Sequence, residues 1–213
     1  MAEPRFQRRK EERPAEITRA ALEEFAEHGY AAARVDDVAK RAGVSKGLLY
    51  LYFKTKEELF KAVIRSAVVP RVDALKSDIA DTELSAEEFL RGPFLAFIKK
   101  LPDSPARIVV RLMIAEGPKH PDLTAFYCDQ VVDGGLAALR QLISRGVRQG
   151  EFRHSGLDKF PHLLLAPALM SIIWKTLFQE HYPLDTDKLL EAHIELIVRA
   201  ITVSPGTTAG AAL

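Results

Sequence analysis

The segment from Val35 to Phe60, VDDVAKRAGVSKGLLYLYFKTKEELF, restricts the fold more than any other part of this chain. It reads as a short helix, a Gly-containing turn, a second short helix rich in Lys and Tyr, and the capped start of a longer helix. Two short helices that cross closely need small residues at the crossing, and Ala39 and Ala42 supply them. Gly43 lacks a Cβ and can take the positive φ of the turn, while Val44 is placed to fill the corner. Ser45 suits the N-cap of the second helix, its hydroxyl accepting from a free backbone N–H. Leu49 and Phe53, one turn apart, are expected to face inward; Lys46 and Tyr50, also one turn apart, to face out together. LLYLYF alone alternates like a strand, but its capped and Gly-turned flanks decide for helix.

A unit of this shape near the amino terminus is suited to laying one helix in the major groove of DNA. Its outward residues have matching chemistry. Lys46 offers a charge to a phosphate, and Tyr50 and Tyr52 offer hydroxyl donors on stiff side chains. Gly47 permits close backbone approach, and Leu48 could meet a thymine methyl. Lys56, just past the turn, is expected to reach a phosphate beside the next helix.

The flanks read as helices. Residues 1–13 are polar and carry both charge signs, as a flexible arm would. Pro14 suits a first helical turn, Ile17, Ala21 and Phe25 recur at helical spacing, and Gly29 should stop that helix at its C′ position. Thr55 with Glu58 forms a cap signal, and Leu59, Phe60, Val63, Ile64, Ala67 and Val68 follow as a broad apolar side. Pro70 should then kink or break the pattern. Beyond it come a capping box at Ser85 and Glu88 and a helix from Ser104-Pro105 to Gly117-Pro118. A long helix follows from Pro121-Asp122 to near Gly150, then an apolar one from Asp158 to about Tyr182 and a last one from Asp187 to about Val203. No run alternates convincingly as a strand. The expected fold is all-α: a three-helix helix-turn-helix domain at 14–62, then a helical bundle at 63–203 that forms a dimer, with flexible tails at 1–13 and 204–213.

Composition narrows the class. Apolar residues make up 47% and charged residues 28% of 213, with a net charge of +1, so the whole protein is no basic nucleic-acid sponge. Residues 1–65 hold 14 Lys+Arg against 11 Asp+Glu, while residues 66–213 hold 16 against 18. The basic excess lies with the groove-reading segment. The single cysteine, Cys128, excludes a disulfide within the chain and a Cys-based zinc site, and it reads as inert core rather than a redox sensor. The opening MAEPRFQRRKEERP has no secretory pattern. The run Leu163 to Trp174 is interrupted by Pro167 and too short for a bilayer, so the expectation is a cytoplasmic protein without membrane contact. His162, His181 and His193 lack metal-ligand spacing and no Gly-rich phosphate loop appears, so no enzyme activity, metal or cofactor is expected.

The segment resembles the tetracycline-repressor-like (TetR/AcrR) family of bacterial transcription regulators. The family pattern appears as Val38-Ala39, Ala42-Gly43-Val44-Ser45-Lys46-Gly47, Leu49-Tyr50, Tyr52-Phe53, Lys56 and Leu59, with close likeness over residues 14–62. The resemblance implies operator contacts from Lys46, Tyr50, Tyr52 and Lys56, with Gly47 and Leu48 on the groove-facing edge and Ser45 at the cap. One place departs: where the family has Thr or Ser before the second helix, this chain has Ala33-Arg34. That weakens the cap and makes Arg34 a candidate phosphate contact.

Such modules act as dimers on near-palindromic sites. Leu190, Ile194, Ile197 and Ile201 form an apolar stripe for a dimer interface, which Leu189, His193, Leu196 and Ala200 widen. Phe97, Met113, Phe126, Met170 and Trp174, with Phe94 and Tyr127, are large apolar groups on helices that must pack. Singly each reads as core; together they suit a site for a small apolar or amphipathic effector. Arg111, Glu116 and His162 are the polar groups beside them. The expected function is a repressor that binds double-stranded operator DNA as a homodimer and is released by the effector. The alternative is a helical ligand-binding protein or enzyme with a vestigial reading module.

Overall fold

The computed structural model describes residues 5–203, and side chains from residue 12 onward. Of the expected tails at 1–13 and 204–213, residues 1–4 and 204–213 lie outside the described residues, as do the side chains before residue 12, whereas residues 5–13 are helical rather than a free arm. Those described are helical throughout, apart from turns and one isolated antiparallel bridge between Phe152 and Thr202. None of their helices is long and apolar enough to cross a membrane. They divide into two compact units, one of the described residues up to 71 with 105–131, the other of 72–104 with those from 132 onward.

The first unit is built on α1 (Arg5–Ala32), α2 (Val35–Arg41), α3 (Lys46–Tyr52) and α4 (Lys56–Ala67). Helix α1 starts ahead of Pro14, which sits inside it rather than in its first turn. Gly29 interrupts α1 as a kink at φ 75° and ψ 166°, a positive-φ backbone open to glycine but not the left-handed C′ cap expected of it, and the helix resumes to Ala32. Phe25, Tyr30 and Phe60 close the core as an aromatic triangle, with ring centroids 5.1–5.6 Å apart. Thr55 caps α4 through Glu58 N–H at 3.0 Å. Pro70 falls in the first turn of α5 (Val69–Asp81), where its missing N–H costs nothing, so the break comes immediately before it. Helices α8 (Ala106–Glu116) and α9 (Pro121–Tyr127) also belong to this unit: α8 packs on α1 and α4, and α9 on α4.

The second unit holds most of α5, then α6 (Ala86–Phe89) and α7 (Leu95–Lys100), and, after residue 131, α10 (Asp133–Arg148), α11 (His162–Leu177) and α12 (Thr186–Ile201). Ser85 and Glu88 make the expected capping box. Between α6 and α7 the helix loosens to a π turn at Leu90–Phe94, which contains Pro93; proline cannot donate the i→i−4 bond that would keep the ladder regular. Gly146 on α10 is required by contact: a Cβ there would lie 2.4 Å from the Phe152 ring and 2.9 Å from Ala86.

Two expected helix starts move. Asp158 accepts from Lys159 N–H at 3.0 Å within a turn, and α11 begins four residues later at His162, behind Pro161. The last helix is capped by Asp185, which accepts from Lys188 N–H at 3.0 Å, rather than opened by Asp187.

Candidate nucleic-acid interface

The turn between α2 and α3 closes through backbone bonds. Gly43 N–H donates to Lys40 O at 3.1 Å and Val44 N–H to Ala39 O at 3.0 Å, a Schellman arrangement that needs a left-handed residue at C′. Gly43 supplies it at φ 65°. Ser45 then caps α3, its Oγ accepting from Leu48 N–H at 3.2 Å. With turn and cap both set, the rotation of α3 follows. Leu49 is buried at 1% exposure and Phe53 is half-buried, while Ser45, Lys46, Gly47 and Tyr50 face solvent. Leu48 and Tyr52 lie half-buried on the flanks. Leu51, absent from the expected set, is 65% exposed. Its signal was readable, since it stands one turn beyond Gly47 on the outward side.

Lys46 is held by Asp36 of α2, with Nζ 2.8 Å from Oδ1. This hydrogen bond and the carboxylate charge raise the Lys46 pKa above its ordinary value. Both side chains are exposed, so the pair is weak in water and the ammonium can exchange the carboxylate for a phosphate. Arg34 occupies the N-cap of α2 in extended backbone with no side-chain cap bond, and it is exposed. Asp36 and Asp37 in the first turn favour the positive end of the helix in its place.

Lys56 has a different geometry from the one expected. Its Nζ donates to Tyr30 O at 2.7 Å, Ala31 O at 2.9 Å and Ala33 O at 3.1 Å, and lies 4.8 Å from the Tyr30 ring centroid. An ammonium has three N–H donors, and all three are engaged by the end of α1. Burial lowers its pKa. Arg41 makes a comparable clamp between α2 and α1. Its guanidinium meets Glu27 at 2.6 Å and the buried Glu24 at 3.1 Å, and Glu24 also meets His28 at 3.0 Å.

The residues proposed for an effector fall in both units. In the first, Phe126 lies under the Arg65 guanidinium at 4.7 Å and the Lys61 ammonium at 5.6 Å. Glu116 pairs with Lys119 at 3.3 Å, Met113 reaches toward Gly117, and Arg111 donates to Ala26 O at 2.5 Å. Burial pushes the neighbouring Tyr127 up to about 12. In the second, Phe97 stacks on Phe94 at 6.3 Å, and Trp174 donates to Tyr182 O at 2.8 Å. His162 and Met170 are exposed. Cys128 is exposed rather than core.

The dimer stripe is corrected. Leu190, Ile194 and Ile201 are buried within their own unit at 0%, 2% and 4% exposure, and Ile197 packs at the edge of that core. They belong to the core that α12 shares with α7 and α11, both of which it packs against. The open apolar groups are Leu196 on α12 and Leu163, Leu169, Met170 and Leu177 on α11.

A capped short helix with an outward Lys-Gly-Tyr row, locked to a partner helix by a glycine turn, defines a helix-turn-helix DNA-binding regulator. The family model for bacterial regulatory proteins of the tetR family matches residues 17–63, and the model for the tetracyclin repressor-like C-terminal domain matches residues 81–201. The chain belongs to the tetR family of transcriptional regulators. It is 40% identical over 196 residues to the transcriptional activator FasR of Mycolicibacterium smegmatis, covering 87% of this chain and 81% of that protein. It is 28% identical over 151 residues to the fatty acid metabolism regulator protein of Bacillus subtilis, covering 70% and 76%. In fold it is similar to the crystal structure of FadR from Bacillus subtilis in complex with stearoyl-CoA. That likeness has a TM-score of 0.71 at 24% identity, over 86% of this chain and 97% of that one.

Proposed function

We propose that the protein is a repressor that binds a near-palindromic operator as a homodimer and leaves it when an amphipathic acyl-CoA-type effector binds. The outward row of Lys46, Gly47 and Tyr50 on α3, held in rotation by Gly43 and Ser45, carries the reading. Ser45, Lys46, Tyr50 and Tyr52 contact phosphates, Arg34 adds one at the start of α2, and Gly47 and Leu48 line the groove. Lys56 acts on DNA only through position, by closing the end of α1.

Reading belongs to residues 14–62, and sensing and dimerisation to 63–203. Helices α8 and α9 lie in the second stretch yet pack on α1 and α4, which supports a direct mechanical link from sensing to reading. The exposed apolar groups Leu163, Leu169, Met170 and Leu196 support a two-fold contact through α11 and α12. The fatty acid metabolism regulator among the relatives and the stearoyl-CoA bound by a protein of similar fold support a long-chain acyl-CoA as effector. Such a ligand drives release only if it prefers the conformation whose reading heads are wrongly spaced.

Selection of bound sequences from random DNA tests the core of this reading. An inverted repeat is expected, with affinity that falls steeply with salt. Lys46→Ala combined with Tyr50→Ala should weaken it by roughly a hundredfold or more, about 1.4 kcal/mol per factor of ten. Stearoyl-CoA should release the DNA, and deletion of the gene should raise expression from promoters that carry the repeat. Absence of any sequence preference would sink the reading; lower expression on deletion would make the protein an activator, like its relative FasR.

A further inference from the structure

We propose that Leu51 is a specificity-determining residue that reads the C5 methyl of a thymine in the major groove, its side chain approaching the base over Gly47. The inference rests on the reading of α3 as the groove helix and adds the base chemistry that this helix selects. Among the large apolar side chains described in the first unit, Leu51 is the most exposed, at 65%, against 60% for Ile114 and 36% for Tyr50. It stands on the same short helix as the outward Lys46 and Tyr50, next to Tyr50 in sequence and one turn beyond Gly47.

Helical side chains lean toward the amino end of their helix, over the residue one turn earlier. For Leu51 that residue is Gly47, which has no side chain, and nothing lies within 4 Å of the place where its Cβ would be. With no side chain at Gly47 and Leu51 itself 65% exposed, the isobutyl group is open to solvent on the outward side of α3. It carries no donor or acceptor, so it cannot read a polar base edge. Thymine presents the one apolar group on the major-groove edges of the four standard bases. Leu48, the earlier candidate for that contact, is half-buried on the flank of the helix.

Lys46 and Tyr50 form the neighbouring row, one turn apart, and can anchor phosphates on the side of the contact. Phosphate anchors position a helix without carrying sequence information, so a base-reading group beside them is what gives the module a preference. Leu51 meets that need, since its removal costs α3 no buried contact: the residue that seats the helix is Leu49, at 1% exposure.

The experiment uses the full-length protein and a site recovered by selection from random DNA. Each thymine is replaced in turn by uracil, which removes only the methyl. The wild-type protein should lose affinity at one position per half-site by roughly fourfold, the value of about one buried methylene-sized group. Leu51→Ala should bind thymine and uracil equally at that position, keep the wild-type effects elsewhere, and melt at the wild-type temperature. Leu51→Ile should retain the preference. Equal thymine-to-uracil ratios for wild type and Leu51→Ala at every position would overturn the proposal while leaving groove reading by α3 intact. Failure of the wild-type protein to select any sequence would overturn both.

Discussion

Helices α3 and α12 are both amphipathic, yet the rotation of one could be read from its residues and that of the other could not. In α3, the Gly43 turn and the Ser45 cap fix the backbone on the amino side, so Leu49 must point in and Lys46 and Tyr50 must point out. Helix α12 has a capped start too, at Asp185, but apolar residues occupy much of its circumference. Leu190 and Ile194 stand beside Leu189, His193 and Leu196, and either row could have faced the core. Local signals set where a helix begins. They set which side is inside only when polar residues leave a single apolar stripe; otherwise packing against neighbours decides.

The contrast within α12 is open to a direct test. Ile194→Ala removes a side chain that is 2% exposed and should destabilise the fold by about 2–5 kcal/mol through lost burial and the cavity left behind. Leu196→Ala, at a position 69% exposed, should leave the stability of the protomer within about 0.5 kcal/mol and weaken self-association. Denaturant unfolding and sedimentation at matched protein concentrations separate the two effects. If Ile194→Ala weakened association and spared stability, the inside and outside of α12 would have to be exchanged.

How much was legible follows the range of each signal. The caps at Ser45, Thr55 and Ser85 and the left-handed Gly43 act within four or five residues, and their structural outcomes match the residues that announce them. The all-helical class followed from the same punctuation. The bonds of Lys56 to the end of α1 are not legible in the sequence, because its three carbonyl partners lie 23–26 residues earlier, a contact that no short-range pattern encodes. The start of α11 moved because Asp158 can satisfy a turn as well as a helix end, and here it serves the turn. Leu51 is legible only through the helix phase at every position, because an apolar residue on a short helix otherwise resembles core.

Lys46 and Lys56 sharpen the comparison between an outward and an inward cation on neighbouring helices. Lys56→Met keeps the stem length and deletes the three bonds to the end of α1; a cost of roughly 1.5–3 kcal/mol in stability is expected. The salt dependence of DNA binding should stay at the wild-type slope. Lys46→Met should do the opposite, leaving the melting temperature near wild type and reducing the slope by about two, one phosphate contact from each protomer. The exposed pair with Asp36 adds little to stability. A reduced slope in Lys56→Met would mean that its ammonium leaves the α1 carbonyls to meet a phosphate.

The smallest expected effect lies at the edge of the buried side of α12, one turn beyond Leu190. His193 Nε2 lies 2.9 Å from Leu163 O on α11, and burial lowers the His193 pKa below the ordinary 6.5, more than the carbonyl contact raises it. The folded state therefore binds this proton less readily than the unfolded chain. Its contribution is fully present above pH 6.5 and is lost as pH falls through that value toward the lower folded pKa. Melting temperature should drop between pH 7.5 and 5.5, by a small amount because the ring is half exposed to water. His193→Gln keeps a donor for Leu163 O and has no proton to gain, so its profile over the same interval should be flatter. An equal drop in both proteins would place the sensitivity elsewhere and leave His193 as a packing residue at the edge of α11.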